Sequence, residues 1–206
     1  VELELGRVLY EPDARIRHVY FPTDSFISLM IPVDGITNLE VGLVGNEGMV
    51  GSPLILGVDV SPLRALVQGA GLAWRISAVM FARQLGRSPA LRRTLHRYLQ
   101  VQISQLAQTA ACTRFHVVEE RLARWLLMTQ DRAHVDEFRV THEFLAYMLG
   151  VRRVGVTKAA NALQLRKLIR YHRGAVTVLD RIGMEAASCG CYQADRDTYD
   201  SLLAAV

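Results

Sequence analysis

The chain has 206 residues, half of them apolar and 21% charged, which is the composition of a globular protein with room for one large or two small cores. No apolar run reaches the roughly 18 residues needed to span a bilayer and no signal-peptide pattern is visible, so a membrane helix is excluded and a cytoplasmic location is expected. A net charge of +4 is too small to name a partner; the distribution of the charge is more informative. The chain opens at Val1 without Met, inside what reads as a strand, so an upstream piece is expected to be missing.

Turn signals punctuate residues 1 to about 80: Glu11-Pro12-Asp13, Pro22-Thr23-Asp24, Asp34-Gly35, Gly45-Asn46-Glu47-Gly48 and Ser61-Pro62. Between them lie short segments rich in Val, Ile, Leu and Phe, such as Phe26–Ile31, Leu39–Val44 and Ala65–Gln68. This rhythm predicts an antiparallel sandwich or barrel. Ser77 then reads as the N-cap of a short helix, and Pro89 as the first-turn residue of a much longer one. Leu91, Leu95, Tyr98, Leu99, Ile103, Leu106 and Ala110 recur at helical spacing, and no Gly or Pro interrupts 90–121. One small barrel cannot cover so long an apolar stripe, which favours a partner helix over a connector packed only on its own domain.

A further amphipathic helix follows, with Leu122, Trp125, Leu126 and Met128 as its apolar set and Glu119 and Glu120 in its first turn, where the helix dipole favours acids. Residues 131–137 read as a polar loop. Thr141 then caps a short helix that Gly150 ends, with Leu145, Leu149 and Val151 facing a core and Ala146 small enough for close packing. A second helix from Arg152 to about Leu163 turns Val156, Ala159, Ala160 and Leu163 inward and leaves Arg152, Arg153, Thr157 and Lys158 exposed. Two helices joined by so short a turn form a helix-turn-helix, whose second helix reads base edges in the major groove.

Residues 168–179 read as two strands around an Arg173-Gly174 turn, a wing with Arg170, His172 and Arg173 placed to meet phosphates. From Arg152 to Arg173 there are seven basic residues and no acidic one. That local surplus is the electrostatic footprint of a phosphate backbone.

On these residues, above all 140–163 and the stretch 45–57, the chain resembles the cyclic-AMP receptor protein/FNR (Crp/Fnr) family of transcription regulators. The resemblance implies an α+β fold: an antiparallel β-barrel of the cyclic-nucleotide-binding jelly-roll type (1–88), a long dimerisation helix (89–117) and a winged helix-turn-helix (118–206). It implies a homodimer on two-fold-related DNA, with contact to RNA polymerase. Where the family commonly has Arg-Glu and, four residues on, Arg to read G, C and G, this chain has Arg153, Val154 and Lys158. Val154 cannot accept from a cytosine amino group but can touch a thymine methyl, so a different half-site is expected.

The resemblance places an effector pocket at Gly48, Gly51, Ser52, Arg64 and Leu106. The family's ribose-binding Glu is Ser52 here, its phosphate-binding pair is Ser61-Pro62, and its ring-sensing Thr-Ser pair on the long helix is Leu106-Ala107. Arg64 would serve the phosphate only after a register slip. A phosphate without a cation partner is costly to bury, so the expected effector is not cyclic AMP and its identity is open.

Cys112, Cys189 and Cys191 are too few for a disulfide framework. The Cys189-x-Cys191 pair shows no further C-x-x-C or nearby His pair, so the three read as ordinary thiols without a metal. An FNR-type iron–sulfur cluster needs N-terminal cysteines, and residues 1–111 have none. His18, His96 and His116 read as ordinary histidines rather than haem ligands. An enzyme is not expected: a cupin-type site needs several clustered His, and no nucleophile elbow, Walker loop or H-E-x-x-H is present. The remaining alternative is a sensing or protein-interaction module that does not read DNA sequence.

Overall fold

The computed structural model describes residues 1–33 and 37–203, so the expected Asp34-Gly35 turn lies outside the described residues. The first half holds seven strands: β1 (Glu2–Leu3), β2 (Val8–Tyr10), β3 (His18–Pro22), β4 (Phe26–Val33), β5 (Thr37–Val44), β6 (Arg64–Gly69) and β7 (Gly71–Ser77). They form two antiparallel sheets, ordered β1-β7-β3 and β2-β6-β4-β5. In β6 the period-2 alternation of a strand with one buried face turns Ala65 and Val67 inward. Leu3, Val19 and Ala73 from one sheet share a core with Ile27, Val44 and Val67 from the other.

The expected antiparallel sandwich or jelly-roll barrel takes the form of two sheets over one core, not joined into a continuous closed wall. Among the described residues only the isolated bridges Arg15↔Val60 and Tyr20↔Val50 lie outside the named strands. The edge strands β1 and β2 span only two and three residues, too few to carry a continuous ladder around a closed wall.

Ser77 and Pro89 take the helix-start positions expected of them, and Ser88, not singled out in the sequence, caps the second helix. Ser77 accepts from the Met80 N–H at 3.3 Å to start α1 (Ala78–Arg87), and Ser88 accepts from the Leu91 N–H at 3.2 Å to start α2 (Pro89–Phe115). At 27 residues, α2 is about 40 Å long. Leu95, Tyr98 and Val101 bury its inner face.

The second half folds as α3 (Val118–Ala133), β8 (Glu137–Arg139), α4 (His142–Leu149), α5 (Arg153–Leu165), β9 (Ile169–His172), β10 (Ala175–Val178), α6 (Arg181–Ala187) and α7 (Cys191–Leu203). Its core is built on Leu122, Leu126, Leu145, Val156, Leu163 and Met184. The polar loop expected over 131–137 is shorter, because α3 continues to Ala133. Its polar residues there have partners: Asp131 pairs with Arg181 at 2.6 Å and Arg132 with Glu47 at 2.7 Å.

The two halves meet through buried polar contacts. Glu40 on β5 accepts from the Trp125 indole N–H at 2.9 Å and from the Ser28 hydroxyl at 2.6 Å. The Tyr199 hydroxyl donates to the Glu47 carbonyl at 3.0 Å. Burial lifts the Glu40 carboxyl from its ordinary 4.5 to about 7, against the opposing pull of its two donors and of Arg132 and Arg124.

A raised folded-state carboxyl favours the folded state while it stays protonated, so its contribution falls as pH climbs from about 4.5 to about 7. The wild-type chain is expected to lose up to about 3 kcal/mol of stability across that window. Urea titrations over a pH series check this. Glu40→Gln, which keeps an acceptor for Trp125, should flatten that step; an unchanged profile in the variant would assign the step to another group.

Candidate nucleic-acid interface

The Thr141 hydroxyl oxygen accepts from the Phe144 N–H at 3.1 Å, which caps α4. Gly150 closes that helix at φ 61° in the left-handed region, the conformation glycine tolerates best. Arg152 stands at the N-cap of α5, and Val156, Ala159, Ala160 and Leu163 are buried beneath it. Leu145 and Leu149 are buried as well, while Val151 and Ala146 are half-buried.

On the outer side of α5, Arg152, Arg153, Val154 and Lys158 are exposed. Thr157 departs from the expectation of an exposed position and is half-buried. Its hydroxyl donates to the Arg153 carbonyl at 3.1 Å and lies 3.0 Å from His142 Nδ1. A threonine inside a helix readily bonds the carbonyl four residues back, and His142 reaches it from the first turn of α4.

The wing is fastened to the same corner. The His142 ring stacks on Tyr171 with centroids 4.4 Å apart, and the Tyr171 hydroxyl donates to the Val140 carbonyl at 2.7 Å. The Tyr171 N–H donates to Gln164 Oε1 at 2.9 Å, tying β9 to α5. Arg173 and Gly174 take φ values of 48° and 79°, the two consecutive positive φ angles of a primed hairpin turn. Arg170, His172 and Arg173 are exposed. β8 extends the hairpin to a three-stranded sheet, β8-β10-β9. The wing tip also borders a groove whose opposite wall includes Leu5, Gly6 and Leu66 of the sandwich.

His142 and Tyr171 were not singled out by sequence reasoning. The available signal was a ring-bearing residue just after the Thr141 cap and another facing it in the hairpin. Burial and the nearby Arg153 guanidinium both hold the His142 ring below its ordinary pKa. Burial raises the Tyr171 phenol. At neutral pH both rings are uncharged supports, leaving the positive charge to the arginines and lysines.

Of the seven cations between Arg152 and Arg173, Arg166 pairs with Glu119 at 3.1 Å. Among the described residues the other six make no ion pair with a carboxylate. Their charge faces outward uncompensated.

In the sandwich, a cavity of about 160 Å³ is lined by Tyr10, Gly51, Ser52, Ser61, Gln102 and Leu106, among others. Gln102, Gln105 and Leu106 come from α2, so the long helix forms one wall. Among the described residues the lining contains no charged side chain. The structure thus brings together Gly51, Ser52 and Leu106 of the expected pocket and leaves out Gly48 and Arg64. Gly48 lies against the Tyr98 ring, where a Cβ would collide with it. Arg64 sits opposite Met30 in the sheet and pairs with Glu11 at 3.3 Å, so no register slip delivers its charge. Burial raises the Tyr10 phenol, and its hydroxyl donates to the His18 carbonyl.

The cysteines differ from expectation too. The fold brings Cys112 and His116 beside Cys189 and Cys191, although roughly 75 residues separate the two pairs in the sequence. No spacing rule reveals partners so far apart.

Fold and surface together define a two-sheet sandwich joined by a long helix to a winged helix-turn-helix. Residues 120–187 match the family described as the Crp-like helix-turn-helix domain. No curated protein matches the chain in sequence. A CRP/FNR-family transcriptional regulator of Thermus thermophilus superposes with a TM-score of 0.75 at 19% identity, covering 91% of this chain and 97% of that one. FixK2 from Bradyrhizobium japonicum gives 0.75 at 12% identity, covering 92% and 96%. The c-di-GMP-responsive regulator CLP of Xanthomonas campestris gives 0.69 at 17% identity, covering 86% and 92%. The chain has the Crp/Fnr regulator fold and carries a Crp-like helix-turn-helix domain. No helix among the described residues is long and apolar enough to cross a membrane.

Thr141→Ala removes the α4 cap and leaves the Phe144 N–H without its acceptor, so it should cost about 1 kcal/mol. Chemical denaturation followed by circular dichroism measures this; a loss near zero would show that solvent replaces the cap.

Proposed function

We propose that this chain is a sequence-specific DNA-binding transcription regulator of the Crp/Fnr type, acting as a cytoplasmic homodimer. Residues 1–88 serve as the sensor, 89–117 as the dimer helix and 118–206 as the DNA-binding domain. The observation that carries the reading is the set of six outward cations on α5 and the wing, none with a carboxylate partner among the described residues. Placed at a major groove, Arg153 and Lys158 reach guanine acceptors and Val154 packs on a thymine methyl. Arg152, Arg170, Arg173 and the first turn of α4 at Thr141 meet the phosphates. Thr157 supports Arg153 and His142 more than it reads a base. Bound beside a promoter, the dimer would meet RNA polymerase.

Two further features support the reading. Ile103 and Leu106 are 59% and 44% exposed on α2. With half-buried Leu99 and exposed Ala110 they repeat at four, three and four residues, the spacing of a coiled-coil seam. The cavity beside that seam has an uncharged lining, which suits a neutral effector rather than a cyclic nucleotide phosphate.

Binding to mixed-sequence duplex DNA should weaken steeply with salt, log affinity falling by about 0.9 per phosphate neutralised for each unit of log salt. Arg153→Ala should erase sequence preference by about 1–3 kcal/mol, whereas Arg173→Ala should weaken all sequences alike. Salt-independent or absent binding would favour a protein-contact module, and equal effects of the two substitutions would overturn the assigned roles.

Ile103→Asp places a charge in the α2 seam. It should yield monomers in sedimentation and weaken operator binding by at least about tenfold, as linkage between half-sites is lost. A dimer that survives the substitution would place the subunit contact elsewhere.

A further inference from the structure

Three buried cysteines and a half-buried histidine meet where the long helix passes into the DNA-binding half. Cys112 lies one turn before the end of α2. His116 caps that helix, its N–H donating to the Cys112 carbonyl at 3.1 Å. One helical turn apart, the two side chains project from the same face. Cys189 lies in the short link from α6 to α7, and Cys191, one residue beyond Gly190, opens α7. That link is held by the Tyr192 N–H, which donates to the Cys189 carbonyl at 3.1 Å.

The Cys112 and Cys189 sulfurs are 3.5 Å apart, the Cys191 sulfur is 3.4 Å from His116 Nδ1, and all four ligand atoms lie within 4.8 Å of one another. With bonds of about 2.3 Å to sulfur and 2.0 Å to nitrogen, a tetrahedral zinc site has S···S edges of about 3.8 Å and S···N edges of about 3.5 Å. The two close pairs are therefore already within a few tenths of an ångström of ligating distance. A metal would need to draw in only the longer edges.

Apolar packing alone is a poor account of this cluster. The three thiols are exposed by only 2%, 6% and 2% and form a separate small core of their own. The ring nitrogen is turned toward a sulfur. The buried guanidinium groups of Arg121 and Arg124 lie within Coulombic range of Cys112 and Cys189, while Asp195 neutralises only Arg124, at 2.5 Å. A dication with three thiolates and a neutral imidazole carries one net negative charge, which Arg121 is placed to balance.

We propose that Cys112, His116, Cys189 and Cys191 form a tetrahedral Cys₃His site for a zinc-class divalent cation, which pins the end of the long helix to the α6–α7 link. Binding displaces the thiol protons, so uptake releases protons and strengthens with pH. Sulfur-rich tetrahedral coordination selects zinc over magnesium or calcium, which prefer oxygen ligands. All four positions are filled by protein, the pattern of a structural site rather than a catalytic one. The site does not depend on the DNA-binding reading and survives if that reading fails.

The full chain, reduced and stripped of metal by chelator, is titrated with cobalt(II) and then with zinc(II). The expected result is one equivalent bound per chain, a thiolate-to-cobalt charge-transfer band with the intense d–d bands of tetrahedral cobalt, loss of both on adding zinc, and a higher Tm for the zinc form. Cys191→Ser and His116→Gln should each lose or shift those bands. His116 is only half-buried, so its substitution leaves a folded chain even if a cysteine variant fails to fold. Weak octahedral spectra, or tetrahedral bands unchanged in His116→Gln and Cys191→Ser, would overturn the assignment. So would a reduced wild-type chain that binds no metal but joins Cys112 to Cys189 on mild oxidation, which would make the pair a redox couple.

Discussion

Packing α5 and the wing onto one apolar core decides where the cations of this protein go. Val156, Ala159, Ala160 and Leu163 bury one side of α5, and Ile169, Val176 and Val178 bury one side of the hairpin. The intervening basic residues are left on the remaining surface, because a buried guanidinium without a partner carries a desolvation penalty of several kcal/mol. Of the arginines buried elsewhere, Arg124 is partnered by Asp195 and Arg132 by Glu47, while Arg121 donates to the Leu149 carbonyl. Between Arg152 and Arg173 no acidic residue is available from the segment itself. The apolar pattern that folds the helix and hairpin therefore also builds a one-signed surface.

The orientation of that surface depends on a small polar and aromatic corner. Thr141 caps α4, His142 follows it, and the His142 ring both stacks on Tyr171 and meets Thr157. Through these contacts the first turn of α4, the first turn of α5 and the wing share one anchor. A side chain on a helix surface can recognise a partner only when its backbone is held, and these residues provide that hold for α5 and the wing. None of them needs a charge to do so.

Much of the fold was legible because its signals are local. Ser77, Ser88, Thr141 and Gly150 act within a few residues of themselves, and the inward face of α5 follows from a 3.6-residue period, whereas α3 is buried on nearly every side from Arg121 to Leu127 and leaves Met128 of its expected apolar set half-buried. What the sequence concealed was non-local. Thr157 looks exposed on a helical wheel and is half-buried only because His142 arrives from another helix. Arg64 sits near the expected pocket in sequence, but strand pairing places it opposite Met30 and beside Glu11. Whether the two sheets close was not legible for a similar reason, since closure depends on the lengths of edge strands that turn signals do not specify. Cys112 and His116 join Cys189 and Cys191 only after α7 folds back along α2, a contact that no spacing rule encodes.

The wall of the sandwich cavity contains Leu106, and the same side chain is 44% exposed along the outer stripe of α2. One residue thus borders both the space a small molecule would fill and the surface a second subunit would cover. If the α2 stripes pair, occupancy of the cavity and association of the subunits are thermodynamically linked, each altering the other by the same factor. Apparent ligand affinity would then vary with the concentration of the protein itself, and a cell could tune its response by changing how much of the chain it makes.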